Sequence, residues 1–190
     1  MNFCPICSSQ KIKNYLLKDN FTFFQCLDCR FIWVDILGVD LSDYYNNSNY
    51  LHDKIGKGYV DYEADKAPME PVYVGLLNKI KSYCPGRKIL DLGTASGYFL
   101  DIANQNGYSA EGIDINPSAV KEGLNRGRKI KQANILDSSY RDGSFDVVTA
   151  FDLFEHLPSD KLEDYISVIR KALTKNGILA LITVNTSSWW

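Results

Sequence analysis

Apolar and polar residues along the second half of the chain form two patterns that alternate. Short, nearly continuous apolar runs are typical of strands buried in a parallel sheet; these runs are 88–92, 110–115, 129–133, 145–151 and 177–184. Between the runs, apolar residues recur every three or four positions, which predicts helices at 97–105, 117–127 and 161–173. Alternating strands and helices build a parallel sheet covered on both faces. We therefore expect a doubly wound, mostly parallel α/β fold.

The first 37 residues follow a different pattern, dominated by two pairs of cysteines. The pairs are Cys4-Pro-Ile-Cys7 and Cys26-Leu-Asp-Cys29, with 18 residues between them. Two residues between thiolates let one tight turn present both sulfurs to one ion, and two such turns complete a tetrahedral zinc site. We expect residues 1–37 to be a small β zinc ribbon in which these four cysteines hold a structural Zn²⁺.

The residues between and after the cysteine pairs support a small sheet. Apolar residues at 12–17 and 21–24 predict a hairpin that turns at Asp19-Asn20, and 31–34 predicts a third strand. Two disulfides, or thiols that simply pack, are the alternatives to zinc. The first residues show no charged segment followed by an apolar core. We therefore expect a cytoplasmic protein, in which disulfides are rare. The fifth cysteine, Cys84, is predicted to be a half-buried thiol at a helix end.

Residues 38–67 join the ribbon to the main domain, which we place at 68–190 and which begins with a helix at 68–83. The joining segment is rich in tyrosine. It is either a lid over a ligand, with tyrosine hydroxyls and rings near that ligand, or an aromatic layer that packs on the domain. His52 in this segment is expected at the surface. The tyrosines concerned are Tyr44, Tyr45, Tyr50, Tyr59 and Tyr62.

A glycine-rich turn follows the first strand of the main domain, as Asp91-Leu-Gly93-Thr-Ala-Ser-Gly97. A strand, such a turn and a helix start bring backbone N–H groups to one point, where a polar or negative group can bind. The spacing is neither the three-glycine dinucleotide fingerprint nor a phosphate-binding P-loop. Asp114 ends the next strand about 20 residues on, the spacing at which a carboxylate holds ribose hydroxyls. A surface acid before the helix at Pro117 is the alternative for Asp114.

These segments, together with 133–157, resemble the class I S-adenosylmethionine (SAM) methyltransferases in order and spacing, from about residue 88 to residue 184. The resemblance implies a Rossmann-like sheet that binds SAM, with the glycine turn at the methionine part, Asp114 at the ribose and Ile115 on the adenine ring. The implied cofactor-binding residues are Asp91, Gly93, Thr94, Gly97, Asp114, Ile115, Asn134, Ile135, Phe151 and Asp152.

The residues after the third and fourth predicted strands each have more than one possible role. Asn134 stands where the family usually has an aspartate facing the adenine amino group; Asp137 is the second candidate, and either could instead cap a turn. After the fourth strand, Glu155-His156-Leu157 resembles the family's segment at this place. His156, with Glu155 beside it, could be the base for a hydroxyl acceptor. Alternatively the two residues cap the next helix and only shape the site.

Composition and charge bear on the partners. The net charge is −2 and the hydrophobic fraction 45%, which indicates a globular chain and argues against a nucleic-acid binder. No apolar run reaches the roughly 18 residues of a membrane span. We expect a methyltransferase acting on a small-molecule or sugar-containing acceptor. RNA methylation and an inactive SAM-binding or scaffold protein are the alternatives.

The end of the sequence predicts fewer strands than the family has. Five strands can be identified, whereas the class I sheet has seven and ends in an antiparallel hairpin. We therefore expect a chain truncated at its C-terminus, with an open apolar edge at the fifth strand. Such an edge could pair with a second copy to form a homodimer, or Trp189-Trp190 could cover it.

Overall fold

The computed structural model describes residues 2–18, 21–34, 61–137 and 140–185. Several predicted features lie outside these ranges: the turn at residues 19–20, His52 and the C-terminal tryptophans. Four of the five tyrosines of the joining segment also lie outside them, and Tyr62 is the one inside. The described residues form a three-stranded sheet near the N-terminus and a five-stranded sheet with helices.

The N-terminal sheet is antiparallel and confirms the predicted strands. Its strands are β1 (Ile12–Lys18), β2 (Phe21–Cys26) and β3 (Ile32–Val34), in the order β1-β2-β3. Its buried residues are few: Trp33 lies with Cys4 and Cys26, and its ring stacks 6.0 Å from that of Phe31. So small an apolar core supplies little stability by itself.

The five-stranded sheet is parallel throughout and confirms the predicted fold class. Its strand order is β6-β5-β4-β7-β8, so the chain winds outward from β4 in one direction and then crosses to the other side. The strands are β4 (Lys88–Leu92), β5 (Ser109–Asp114), β6 (Ile130–Gln132), β7 (Phe145–Phe151) and β8 (Leu173–Ile182).

Helices cover both faces of this sheet, as the alternating pattern predicts. The helices are α1 (Tyr62–Lys66), α2 (Glu70–Tyr83), α3 (Tyr98–Gln105), α4 (Pro117–Asn125) and α5 (Leu162–Ala172). Helices α2, α3 and α4 contribute residues to the core on one face, together with Ile89 and Val147 of the strands. Helix α5 packs on the other face, against alternate strand residues such as Leu90 and Val148. Residues two apart on one strand share a face, so the sheet has two separate apolar layers.

Three local features differ from the sequence-based expectation. Strand β8 begins at Leu173, four residues before the predicted start, because its pairing with β7 contains an irregularity opposite Asp146. Helix α1 lies in the joining segment 38–67, for which the sequence predicts a tyrosine-rich lid or packing layer and no helix. Cys84 is buried rather than half-buried, at the end of α2, with its Sγ 3.5 Å from the carbonyl oxygen of Asp146.

No helix among the described residues is long and apolar enough to cross a bilayer. Strand β8 is the outermost strand on its side of the described sheet. The homodimer through that edge stays a prediction.

Two helical glycines should respond oppositely to the same substitution. In α2, a Cβ on Gly75 would meet nothing within 4 Å, whereas a Cβ on Gly123 in α4 would lie 2.5 Å from the carbonyl oxygen of Ser96. Gly75→Ala should therefore stabilise the fold by about 0.5–1 kcal/mol through helix propensity. Gly123→Ala should destabilise it by about 1–3 kcal/mol through overpacking. Urea unfolding of both variants measures the difference, and equal effects would contradict the close approach of α4 to Ser96.

Candidate functional site

The candidate site lies at the carboxyl ends of β4, β5 and β7. In an open α/β sheet, ligands bind outside these ends, at the point where the strand order reverses. Here the chain passes from β6, on one side of β4, to β7 on the other side. Asp91, Asp114 and Phe151 all lie at or next to these strand ends, and the sheet brings them to one edge.

The glycine turn between β4 and α3 has the conformation that its sequence requires. Gly93 and Gly97 have φ values of +67° and +85°, in the left-handed region that favours glycine. The N–H groups of Gly93 and Thr94 both donate to the carbonyl oxygen of Ile113, at 3.0 and 3.1 Å, which ties the turn to β5. A Cβ on Gly97 would lie 2.7 Å from Ile130. Gly93 is exposed at the edge, whereas residues 94–97 are buried.

Asp114 is hydrogen-bonded directly to this turn. Its Oδ2 accepts the backbone N–H of Ala95 at 2.7 Å, and its Oδ1 accepts the N–H of Asn116 at 2.8 Å. Burial raises the pKa of this carboxyl, while the backbone N–H donors oppose the rise. Each carboxylate oxygen can accept a second hydrogen bond, so Asp114 retains the capacity to bind two hydroxyls. The prediction that Asp114 and the turn lie together is borne out in space; the binding role stays a prediction.

Asp91 lies on the same face of the sheet, one strand away. It is buried, and its Oδ1 accepts the hydroxyl of Thr149 at 2.6 Å. Burial raises the pKa of Asp91 to about 7, and the nearby charge of Asp114 adds to the rise. The hydroxyls of Thr149 and Thr94 favour the ionised form of Asp91 and so oppose the rise in its pKa. A buried carboxyl with a pKa near 7 fits a positively charged ligand group at this point.

The three residues predicted to lie near an adenine ring have different environments: Ile115 is exposed, Asn134 caps a turn and Ile135 is buried. Ile115 is 42% exposed beyond the end of β5, where its side chain is accessible to a flat ring. Asn134 Oδ1 accepts the N–H of Leu136 at 3.0 Å, so this oxygen caps the short 3₁₀ turn Ile135–Asp137. The turn function that the sequence left open for Asn134 is therefore present. The side chain of Ile135 belongs to the apolar layer under α5.

Phe151, the last residue of β7, is packed against other rings, whereas the next residue, Asp152, is exposed. The centroid of the Phe151 ring lies 4.8 Å from that of Phe99 and 5.5 Å from that of Tyr73. The ring therefore packs in the apolar layer. Asp152 has a φ of +51° and an exposed side chain, 3.6 Å from the ammonium of Lys66. A non-glycine residue in this conformation is uncommon, and Asp152 adopts it directly after the end of β7.

Glu155 and His156 lie in a 3₁₀ turn, Phe154–His156, before α5. The carboxylate of Glu155 accepts the hydroxyl of Thr183 at 3.0 Å, and His156 is exposed. Helix α5 begins at Leu162 with Lys161 at its N-cap. The alternative in which Glu155 and His156 cap the next helix is therefore wrong, because the cap lies five residues later.

The structure contains a cluster of ionic contacts next to the glycine turn that the sequence pattern does not predict. The buried guanidinium of Arg128 donates to Glu63 in α1 and to Asp101 in α3, and also to the carbonyl oxygen of Ser96 in the turn. These residues lie 27 to 65 positions apart along the chain, so no local pattern reveals them.

The four N-terminal cysteines converge as predicted. All their Sγ atoms lie within 4.8 Å of one another, and the Cys4–Cys29 and Cys7–Cys26 pairs are both 3.6 Å apart. A disulfide requires about 2.05 Å, whereas four sulfurs at zinc-bond length in a tetrahedron lie about 3.8 Å apart. The backbone N–H of Cys29 donates to the sulfur of Cys26 and lowers the pKa of that thiol to about 6, whereas the pKa values of Cys7 and Cys29 are raised by burial and by the neighbouring thiols. The thiols therefore fit a closed tetrahedral zinc site.

Comparison with known proteins identifies the domain. A methyltransferase domain family matches residues 61–189. A ubiquinone biosynthesis O-methyltransferase from Idiomarina loihiensis is 28% identical over 130 residues, which cover 64% of this chain and 53% of that protein. The chain spans about half the length of several curated relatives it matches.

Solved structures share the fold. A SAM-dependent methyltransferase from Archaeoglobus fulgidus superposes with a TM-score of 0.56 at 22% identity, over 67% of this chain and 60% of that one. Geranyl diphosphate C-methyltransferase from Streptomyces coelicolor, in complex with S-adenosyl-L-homocysteine (SAH), gives 0.55 at 17% identity, over 76% and 63%. With the family match over most of its length and this sheet topology, the chain belongs to the methyltransferase domain family and has the class I SAM-dependent methyltransferase fold.

Proposed function

We propose that this chain binds SAM at the carboxyl edge of its parallel sheet and transfers the methyl group to a small organic acceptor. The observation that carries the proposal is the direct hydrogen bond between Asp114 and the glycine turn. It fixes a carboxylate with free acceptor capacity next to a turn that exposes Gly93, within a domain of the methyltransferase family.

Each part of the cofactor has candidate partners among the described residues. Asp114 would accept the ribose hydroxyls, and Ile115 would pack on the adenine ring. Asn134 and the backbone at Ile135 would face the edge of that ring. Asp91, Gly93, Thr94 and Gly97 would enclose the methionine part, with the buried carboxyl of Asp91 near its ammonium. Asp152 and the backbone of Phe151 would close the site from β7.

SAM would supply an electrophilic methyl group: an acceptor atom would form a bond to the methyl carbon as the opposite carbon–sulfur bond breaks, and SAH would leave. The protein contributes by orienting the acceptor and excluding water from the site. A hydroxyl acceptor also needs a base, and we assign this role to His156. An imidazole can accept and return a proton as a general base, and the exposed position of His156 leaves it accessible to an acceptor. Glu155, held by Thr183, would position the segment that carries it.

A small organic acceptor is favoured over RNA. The relative named for ubiquinone biosynthesis and the structural neighbour named for geranyl diphosphate both bear the names of small-molecule pathways or substrates. The net charge of −2 provides no electrostatic attraction for a phosphate backbone. A salt-sensitive association with RNA would favour RNA methylation instead. Cofactor binding without transfer to any phenolic or prenyl acceptor would favour an inactive binding protein.

We further propose that Cys4, Cys7, Cys26 and Cys29 hold one structural Zn²⁺. Four cysteine ligands close the coordination sphere, so this metal would stabilise the small N-terminal sheet and take no part in methyl transfer. Metal binding of this kind contributes directly to folding free energy.

Replacing Asp114 tests the ribose assignment. Asp114→Ala should weaken SAH binding by about 1.5–3 kcal/mol, because it removes a charged acceptor of the cofactor hydroxyls. Isothermal titration calorimetry with SAM and SAH measures the change. Asp142→Ala is the control, since Asp142 is an exposed acid before β7, at the opposite end of that strand. Equal affinity of wild type and Asp114→Ala would rule out the ribose role.

The raised pKa of Asp91 predicts a proton release on binding. In the free protein this carboxyl is largely protonated at about pH 6 and largely ionised at about pH 8, because its pKa is about 7. A bound ammonium favours the ionised form, so SAH binding should release close to one proton at the lower pH and almost none at the higher. Calorimetry in buffers of different ionisation enthalpy counts the protons. Asp91→Asn should abolish the release; a release that persists would assign it to another group.

Metal analysis tests the zinc proposal. After exhaustive dialysis the protein should retain one equivalent of zinc, and Cys26→Ser should lose it because three thiolates leave the site open. Cys84→Ser is the matched control, since Cys84 is the remaining cysteine and lies buried at the end of α2. Zinc retention by Cys26→Ser, or its loss in Cys84→Ser, would contradict the assignment.

A further inference from the structure

Helix α1 has only five residues, and so short a helix has almost no stability of its own. Its position must come from contacts with the rest of the fold. Asp61 caps its start by accepting the N–H groups of Glu63 and Ala64, but this bond is local and does not anchor the helix to the sheet. The anchor is provided by residues that reach across to the glycine turn.

The strongest of these contacts is a buried ionic fork between α1 and Arg128, which lies two residues before β6. The two terminal nitrogens of Arg128 donate to the two carboxylate oxygens of Glu63, at 2.6 and 3.0 Å. The hydroxyl of Ser96, in the turn, donates to the same carboxylate at 2.8 Å. Partial burial raises the pKa of Glu63, yet the bonds from Arg128 and Ser96 outweigh this and leave the pKa below its ordinary value.

Arg128 is itself held from the opposite side. Asp101 in α3 accepts from its Nε and Nη2 at 2.9 and 2.7 Å, and the carbonyl oxygen of Ser96 accepts from Nη1 at 2.8 Å. The side chain of Arg128 is only 5% exposed. A planar guanidinium that is fixed by two carboxylates in this manner holds both in defined positions, which a lysine could not do.

The fork places α1 across the edge of the sheet where the cofactor is proposed to bind. Tyr62 packs against Ala95 and Ala119, and Ala95 is the residue whose N–H binds Asp114. At the other end of the helix, Lys66 approaches Asp152 after β7 to 3.6 Å. Helix α1 therefore spans from the glycine turn to the end of β7.

We propose that Arg128 is a positioning residue that holds α1 over the glycine turn, so that α1 forms a wall of the cofactor site and shields it from water. This inference rests on the proposed function, because the wall has a role only if SAM binds at the turn. Arg128 touches neither the proposed cofactor nor the acceptor; it acts through Glu63 and through the side chains that α1 carries.

Glu63→Gln is the first test. The substitution keeps the size of the side chain, and Glu63 lies in α1, outside the sheet. It should weaken SAH binding about tenfold, the scale expected for a lost charge-assisted hydrogen bond, and hydrogen exchange of the α1 amides should accelerate. The melting temperature should change little. Arg128→Met should weaken binding at least as much, and Arg128→Lys should restore only part of the loss, because a single ammonium cannot bridge both carboxylates.

Arg126→Met is the matched control. Arg126 lies two residues away and also approaches Glu63, but at 4.0 Å and with a side chain 46% exposed. An exposed pair of this kind contributes little, so SAH affinity should change by less than about twofold. An effect of Arg126→Met equal to that of Arg128→Met would attribute the result to overall charge and overturn the inference.

The outcomes separate this inference from the proposed function. Wild-type protein that binds neither SAM nor SAH would overturn both. Wild-type protein that binds SAH, with unchanged affinity in Glu63→Gln and Arg128→Met, would overturn the positioning role alone. Faster exchange confined to α1 together with weaker binding and an unchanged melting temperature would support it.

Discussion

The hydrogen bonds that satisfy Asp114 are the constraint on which the rest of the site depends. A partly buried carboxylate at the end of β5 must find donors, and it finds them in the backbone of Ala95 and Asn116. The first of these bonds fixes the glycine turn against β5, and the second fixes the start of α4. One side chain thus sets the relative positions of two strand-to-helix connections, and each of its oxygens can still accept a further hydrogen bond.

The two charged groups that the fold buries nearby act on different elements. Asp91 lies inside the sheet, where Thr149 is its hydrogen-bond donor and its ionisation is opposed by burial. Arg128 lies outside the sheet, where Glu63 and Asp101 neutralise it and it holds α1 in place. The first group is the one that the proposed function places near the ammonium of the cofactor, whereas the second donates all its N–H groups to other parts of the fold.

The sequence anticipated the elements and the site residues to different degrees. The strands from β4 to β7 were predicted within about one residue, because each combines apolar content with a clear turn or cap at its end. The start of β8 was misplaced, because its polar residues bulge away from β7 and carry no apolar signal. Asp114 and the glycine turn were predicted to lie together. The sequence did not show that the ring of Phe151 and the side chain of Ile135 lie in the apolar layers, because spacing along the chain does not show which way a side chain points.

The parallel sheet, the convergence of four cysteines and the positions of Asp91, Gly93 and Asp114 at one edge can be predicted from the sequence alone. These follow from local periodicity, from the cysteine spacing and from the rule that ligand sites lie at the carboxyl ends of parallel strands. The meeting of Glu63, Asp101 and Arg128, and with it the position of a five-residue helix at the glycine turn, becomes visible only in the folded chain. The physical reason is that an ionic contact depends on distance in space: charges far apart in sequence acquire partners only after the sheet has brought their elements together.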